Sequence, residues 1–221
     1  MNRNTIVVSA PADTYSGYGA RSRDLIRALI NLDKYDVKIL SQRWGNTRFG
    51  YLKDHKEKEI SSRIIDKVEV QPDIWMQITV PNEFQAMGKY NIGVTAGIET
   101  TLCHGNWLEG CNRMNLVLTS SEHSKKVFQE TVYDKVNNNT KQSDGTLKLT
   151  TPIEILLEGA DLNKYFPTKV DSNTEIVKSL DAIKESFCFL SVGHWMQGIF
   201  GEDRKNIAYL IKVLQGYLKT K

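Results

Sequence analysis

The chain has 221 residues, of which 40% are hydrophobic and 25% charged, with a formal net charge of +3. That composition is ordinary for a soluble globular protein, with room for one full domain and part of a second, or for two small ones. Asp24 interrupts Arg21, Arg23 and Arg27, so no basic stripe points to nucleic acid. Nor does any apolar run reach the roughly eighteen residues of a membrane span, although peripheral membrane contact stays open. The three cysteines, Cys103, Cys111 and Cys188, have neither disulfide-framework nor metal-ligand spacing, which reads as reduced thiols in a cytoplasmic protein.

Thr5–Ser9 is a short β-rich run and is expected to be a buried strand. A loop with Pro11, Gly17 and Gly19 follows. Leu25, Ile26, Leu29 and Ile30 then recur at helical spacing and predict a helix over 20–32. Val37–Leu40 is the next strand, which completes a βαβ unit with a right-handed crossover. Residues 41–65 are less regular. Trp44, Phe49 and Tyr51 sit among glycine, asparagine and arginine, and 54–65 reads as a polar helix.

Strands are expected at Ile74–Val80, Tyr90–Ala96 and Met114–Leu118. Ser120 or Ser121 caps a helix containing Val127, Phe128 and Val132. The polar stretch 137–148 reads as a long surface loop or hairpin tip. Pro152–Leu157 is the last strand of the first domain. A second α/β step follows, with a strand over Phe187–Gly193 and an apolar-striped helix opened by Arg204-Lys205-Asn206. Alternating strands and helices predict a doubly wound, mostly parallel sheet with helices on both faces. The domains are expected at 1–168 and 169–221. The second comprises a linker helix and a first strand–helix unit, and is incomplete.

Four constellations carry candidate chemistry. Ser16-Gly17-Tyr18-Gly19 with Arg21 lies between the first strand and helix, at the carboxyl edge where open sheets bind ligands. Glycine there lets backbone N–H groups approach an anion near a helix N-terminus. It is not a dinucleotide fingerprint, since Ser22 stands at the third glycine and no acidic residue ends the second strand. The alternative is a tight turn feeding a helix. Glu99 and His104, in the loop after the Tyr90–Ala96 strand, are candidates for acid/base work or for hydrogen bonds to sugar hydroxyls; structural roles are the alternative. Trp107 and Cys111 read as packing residues, and Ser120-Ser121-Glu122-His123-Ser124 as a helix cap. Arg204 and Lys205 oppose the dipole of the helix they open, a placement that suits a bound anion such as a diphosphate. A solvated turn is the alternative.

The order of these motifs resembles that of GT-B-fold glycosyltransferases, and is most similar to the retaining, family-four-like group. The likeness runs through Ser16–Gly19 with Arg21, Pro81-Asn82-Glu83-Phe84, Gly97-Ile98-Glu99-Thr100, Trp107, Cys111-Asn112 and Ser120–Ser124. It continues through Glu158-Gly159-Ala160-Asp161 with Tyr165-Phe166-Pro167, and through Phe189–Gly193 with Arg204-Lys205-Asn206. The resemblance implies two Rossmann-like domains, the first binding a glycan acceptor and the second a nucleotide-sugar donor. The donor is then a substrate rather than a cofactor, no metal is needed, and transfer retains anomeric configuration. It further implies that Arg204 or Lys205 contacts the diphosphate, that Ser16, Gly17, Tyr18, Gly19 and Arg21 approach donor or acceptor, and that His104 and Glu99 lie near the reacting sugar.

The chain departs from the pattern in two ways. His194 stands where an arginine is usual after the donor-domain strand, and the paired glutamates of the donor domain have no counterpart. The chain alone is therefore expected to be inactive or nearly so. A non-catalytic glycan- or partner-binding module and a GT-B-type sugar-nucleotide epimerase are the rival readings. Sugar, nucleotide and acceptor are not named by these residues.

Overall fold

The computed structural model describes residues 3–136, 142–162, 165–169, 171, 174–192 and 206–219. They divide into two compact units, Met1–Asp161 and Leu162–Lys221.

The first unit follows the expected alternation. In chain order it comprises β1 (Thr5–Ala10), α1 (Gly17–Asn31), β2 (Asp36–Ser41), α2 (Tyr51–Asp54), α3 (Lys58–Ser61), β3 (Ile74–Ile78) and β4 (Tyr90–Val94). Then come α4 (Gly105–Cys111), β5 (Leu116–Thr119), α5 (Glu122–Glu130), β6 (Val132–Val136), β7 (Ser143–Lys148) and β8 (Ile153–Ile155). Six strands form one parallel sheet in the order β2-β1-β3-β4-β5-β8. A parallel bridge from Ile39 to Ile64 adds a rudimentary outer strand beside β2. Counting it, the order becomes 3-2-1-4-5-6 with one further strand, the doubly wound arrangement whose direction reverses at the β1/β3 boundary.

Why β1 reads as a continuous apolar run is visible in its surroundings. Ile6, Val8 and Ala10 face Ile26 of α1, Leu52 and Ile60, whereas Val7 faces Trp75, Phe84, Leu108 and Phe128 on the other side. Both faces are covered by helices, as a parallel sheet requires. Each buried Ile, Val, Leu or Phe among them stabilises the fold by about 1.5–3 kcal/mol.

Several boundaries differ from expectation. Helix α1 begins at Gly17 rather than residue 20, because the Ser16 hydroxyl accepts from the Gly19 N–H at 2.9 Å and caps it there. The expected helix over 54–65 is two single turns broken at Lys56, whose φ is 55°. Helix α5 stops at Glu130, and Thr131 turns extended (φ −72°, ψ 123°) with its hydroxyl bound to the Val127 carbonyl at 2.7 Å. Val132 therefore opens a strand instead of closing a helix. The stretch 137–148 is in part that strand's partner, since β6 and β7 pair antiparallel. Residues 137–141 lie outside the described residues.

The second unit holds α6 (Glu175–Asp181), capped by Thr174, and α7 (Ile207–Lys219). Phe187–Val192 is exposed and forms no strand, contrary to expectation. A strand is stabilised by ladder partners, and no strand pairing involves the described residues of this unit. Gly193, His194, Arg204 and Lys205 lie outside the described residues. Among the described residues, no helix is long and apolar enough to cross a membrane.

Candidate functional site

The carboxyl ends of the parallel strands gather most of the chemistry of Met1–Asp161. Ala10, Ser41, Ile78, Val94, Thr119 and Ile155 close their strands at this edge, and the loops that follow carry the candidate residues.

The glycine loop is shaped by close packing at one of its two glycines. The Gly19 Cα lies so close to the turn after β1 that a Cβ there would stand 2.4 Å from the Thr14 carbonyl oxygen and 2.9 Å from that of Pro11. Gly19 thus lets α1 seat against the loop. Gly17 is exposed, and nothing lies within 4 Å of where its Cβ would be. The Tyr18 hydroxyl accepts from the Ala96 N–H at 3.1 Å and sits 3.2 Å from Thr95 Oγ1, joining α1 to the end of β4. Burial pushes this phenol above its ordinary pKa, so it stays neutral. Its ring stacks on Trp44 at 4.1 Å between centroids.

Arg21 donates to the carbonyls of Leu157 (3.0 Å) and Leu156 (2.5 Å), tying α1 to the segment after β8. Arg23 is buried, donates to the Ala12 and Thr14 carbonyls at 2.8 and 2.9 Å, and lies 3.4 Å above the Tyr51 ring. Arg27 pairs with Glu57 and Asp24. All three arginines of this stretch are engaged within the fold.

Glu99 and His104 part company. Glu99 lines an open crevice of about 520 Å³ above the ends of β4 and β5, together with Ser120, Ser121, His123 and Glu158. His104 lies in a separate hollow with Glu109 and the β6–β7 ribbon. There it caps α4, its Nδ1 2.8 Å from Asn106 Oδ1. The imidazole that shares a cavity with Glu99 is His123, whose Nε2 lies 3.2 Å from the Thr100 carbonyl oxygen.

This crevice is held in shape by Ser124. Its hydroxyl donates to the Ile98 carbonyl and accepts from the Ile98 N–H, both at 3.2 Å, and it accepts from Ser121 at 3.1 Å. Gly97, at φ +88°, brings the backbone to it; a Cβ there would fall 2.2 Å from Ser124 Oγ. The Ser121 side chain caps α5 by accepting from the Ser124 N–H. Beneath these groups Thr119 Oγ1 is buried without a hydrogen-bond partner.

Trp107 stacks on Phe128 at 6.2 Å, and Cys111 is fully buried, so both are packing residues as expected. Burial first, and then the neighbouring Cys103, push the Cys111 thiol up to about 12. A cavity of about 570 Å³ opens at the opposite, amino-terminal edge beside Thr5, Lys38 and residues 64–73. We place the candidate site at the carboxyl edge nonetheless, because open α/β sheets bind ligands there and helix N-termini converge on it. Among the described residues no group of three His, Cys, Asp or Glu side chains is placed to hold a metal ion.

Sequence reasoning missed His123 and Glu158 as crevice residues. The available signal was positional, since both follow within four residues of a parallel strand's carboxyl end. No protein-family model, curated protein or solved structure matches the chain.

Proposed function

We propose that Met1–Asp161 is the acceptor-binding half of a nucleotide-sugar-dependent glycosyltransferase of the GT-B type. The observation that carries this reading is the crevice in which Glu99, Glu158, His123, Ser120 and Ser121 meet at the carboxyl edge of the sheet. Two carboxylates, an imidazole and two hydroxyls offer acceptors and donors in the mixture that suits a polyhydroxylated ligand. Glu99 or His123 is within the repertoire of groups that accept a proton from an attacking hydroxyl. The order of motifs along the chain supports the same reading. Under it, Arg204 and Lys205 stabilise the diphosphate as the anomeric C–O bond breaks, a type of contact often worth about 3 kcal/mol. Retention and independence from metal belong to the proposal through the family resemblance alone.

A non-catalytic glycan-binding module is the second reading, and one observation favours it. Arg21, the cation of the glycine loop, is committed to the Leu156 and Leu157 carbonyls, and the crevice residues include no lysine or arginine. The test is a glycan array probed with the full chain, followed by transfer assays from radiolabelled UDP- and GDP-sugars onto each glycan bound. Transfer that drops at least tenfold in Glu99→Gln and His123→Gln supports the enzyme. Binding that both variants weaken establishes the crevice as a glycan site under either reading, and transfer from any donor decides for the enzyme. Unaltered binding and transfer in both variants would remove the crevice from either reading.

A further inference from the structure

A further, small cavity of about 70 Å³ lies at the β1/β3 boundary where the doubly wound sheet reverses direction. This boundary is the general ligand position of such sheets. One wall is locked in place. The Gln77 amide donates to the Glu83 carbonyl at 3.0 Å and accepts from the Gln85 N–H at 2.8 Å, while Thr79 Oγ1 donates to Glu83 Oε2 at 2.5 Å. The facing wall is the loop after β2, anchored by the Gln42 N–H on the Ala10 carbonyl at 2.8 Å. Its Gln42 and Arg43 side chains make no hydrogen bond or ion pair with the other described residues, although the Arg43 guanidinium lies 5.5 Å from the Phe49 ring. Trp44 completes the lining, half-buried and steadied on one side by Tyr18.

We infer that this cavity is a saccharide subsite, separate from the Glu99 crevice, that takes one neutral pyranose. The ring's C–H face would lie on the part of the Trp44 indole that lines the cavity, since apolar area and an electron-rich face are what an aromatic platform supplies. The cavity has room for a few waters or one ring substituent but not for the ring itself. A hydroxymethyl or acetamido group therefore enters it. Arg43 and Gln42 donate to its hydroxyls, while Glu83, with one oxygen held by Thr79, accepts. The presence of both Arg43 and Glu83 suits a neutral ligand better than an anion. Tyr18 stands between the two cavities, bonded to Ala96 at the margin of the larger. On the acceptor reading proposed above, on which this role rests, the subsite holds a non-reacting sugar beside the one that reacts.

The experiment follows the indole N–H signals of the ¹⁵N-labelled full chain, with the Trp44 signal assigned through Trp44→Phe. Glucose, mannose and N-acetylglucosamine are titrated, with sorbitol as an open-chain polyol and uridine as a stacking base. At least one pyranose should shift the Trp44 signal saturably, and sorbitol should not. Arg43→Gln, a change on an exposed loop, should weaken that pyranose about tenfold, the loss of one charge-assisted hydrogen bond. Absence of a saturable shift with every pyranose overturns the subsite. So does a stronger response to uridine, or a response unchanged in Arg43→Gln. Pyranose binding at Trp44 with glycan binding unaltered in Glu99→Gln and His123→Gln retains the subsite and removes the crevice from the acceptor reading, whereas transfer by a chain whose Trp44 ignores every pyranose does the reverse.

Discussion

Replacing Gly97 with alanine should be among the most damaging single changes in this chain. The residue sits at φ +88°, where an L side chain costs about 1–3 kcal/mol of backbone strain. Its new Cβ would also fall 2.2 Å from Ser124 Oγ, 2.3 Å from Ser124 Cβ and 2.8 Å from Thr119 Oγ1. Relief requires the loop and α5 to separate, an overpacking cost of about 1–3 kcal/mol. Together the two effects amount to about 2–6 kcal/mol, a large share of the 5–15 kcal/mol that holds a typical domain. The two parts can be measured separately. Ser124→Gly removes the two closest obstructing atoms, so Gly97→Ala in that background should cost the strain and the lesser crowding against Thr119 Oγ1. Urea unfolding of the wild type, both single variants and the double variant gives a coupling energy, expected at about 1–3 kcal/mol in favour of the double. Strict additivity, or a Gly97→Ala cost below about 0.5 kcal/mol, would refute the packing argument.

Arg21→Gln should lower stability by about 1–3 kcal/mol through loss of the bonds to Leu156 and Leu157, while leaving glycan binding in the crevice intact. Lost binding with unchanged urea stability would instead return Arg21 to the ligand site. Gly19→Val should prevent α1 from seating against Thr14 and Pro11, which circular dichroism and a depressed melting temperature would register. A folded, fully stable Gly19→Val protein would contradict the close approach. In the native chain at pH 8, a thiol reagent should modify the exposed Cys188 and spare Cys103 and Cys111 until the protein unfolds. Rapid native labelling of Cys111 would show its burial to be wrong.

Cys111 also predicts a pH dependence. Its folded thiol titrates near 12 against 9.0 for a free one, so above pH 9 the unfolded chain loses a proton that the folded chain keeps. Stability therefore falls as pH rises through that window, by about 1.4 kcal/mol per pH unit from this group. Cys111→Ala should flatten the slope by that amount, and an unaltered slope would dismiss the assignment.

Much of the architecture was legible in the amino-acid order because it rests on local physics. Buried strands such as Thr5–Ala10 announce themselves as apolar runs, α1 by its 3.6-residue stripe, and α5 by its serine cap. The β6–β7 ribbon was less legible, since its pairing is settled by partners on two strands, from Val136 with Ser143 out to Val132 with Lys148, rather than by either strand alone. Phe187–Val192 shows the converse: a β-rich run whose described residues have no ladder partner.

The site divides along the same line. That chemistry would collect in the loops after parallel strands followed from the alternation of elements, because every strand of such a sheet points its carboxyl end the same way. Which residues share a cavity did not follow. Glu99 and His104 are five positions apart, yet they face different hollows because His104 caps α4 beside the β6–β7 ribbon while the Ser124 hydroxyl draws the Ile98 backbone toward α5. Arg21 reads as an available cation, and the folded chain commits it, like Arg23, to carbonyl oxygens. Spacing along a chain determines which groups are near one another locally; which distant loop end each one meets is decided only when the sheet closes and its hydrogen-bonding groups find partners.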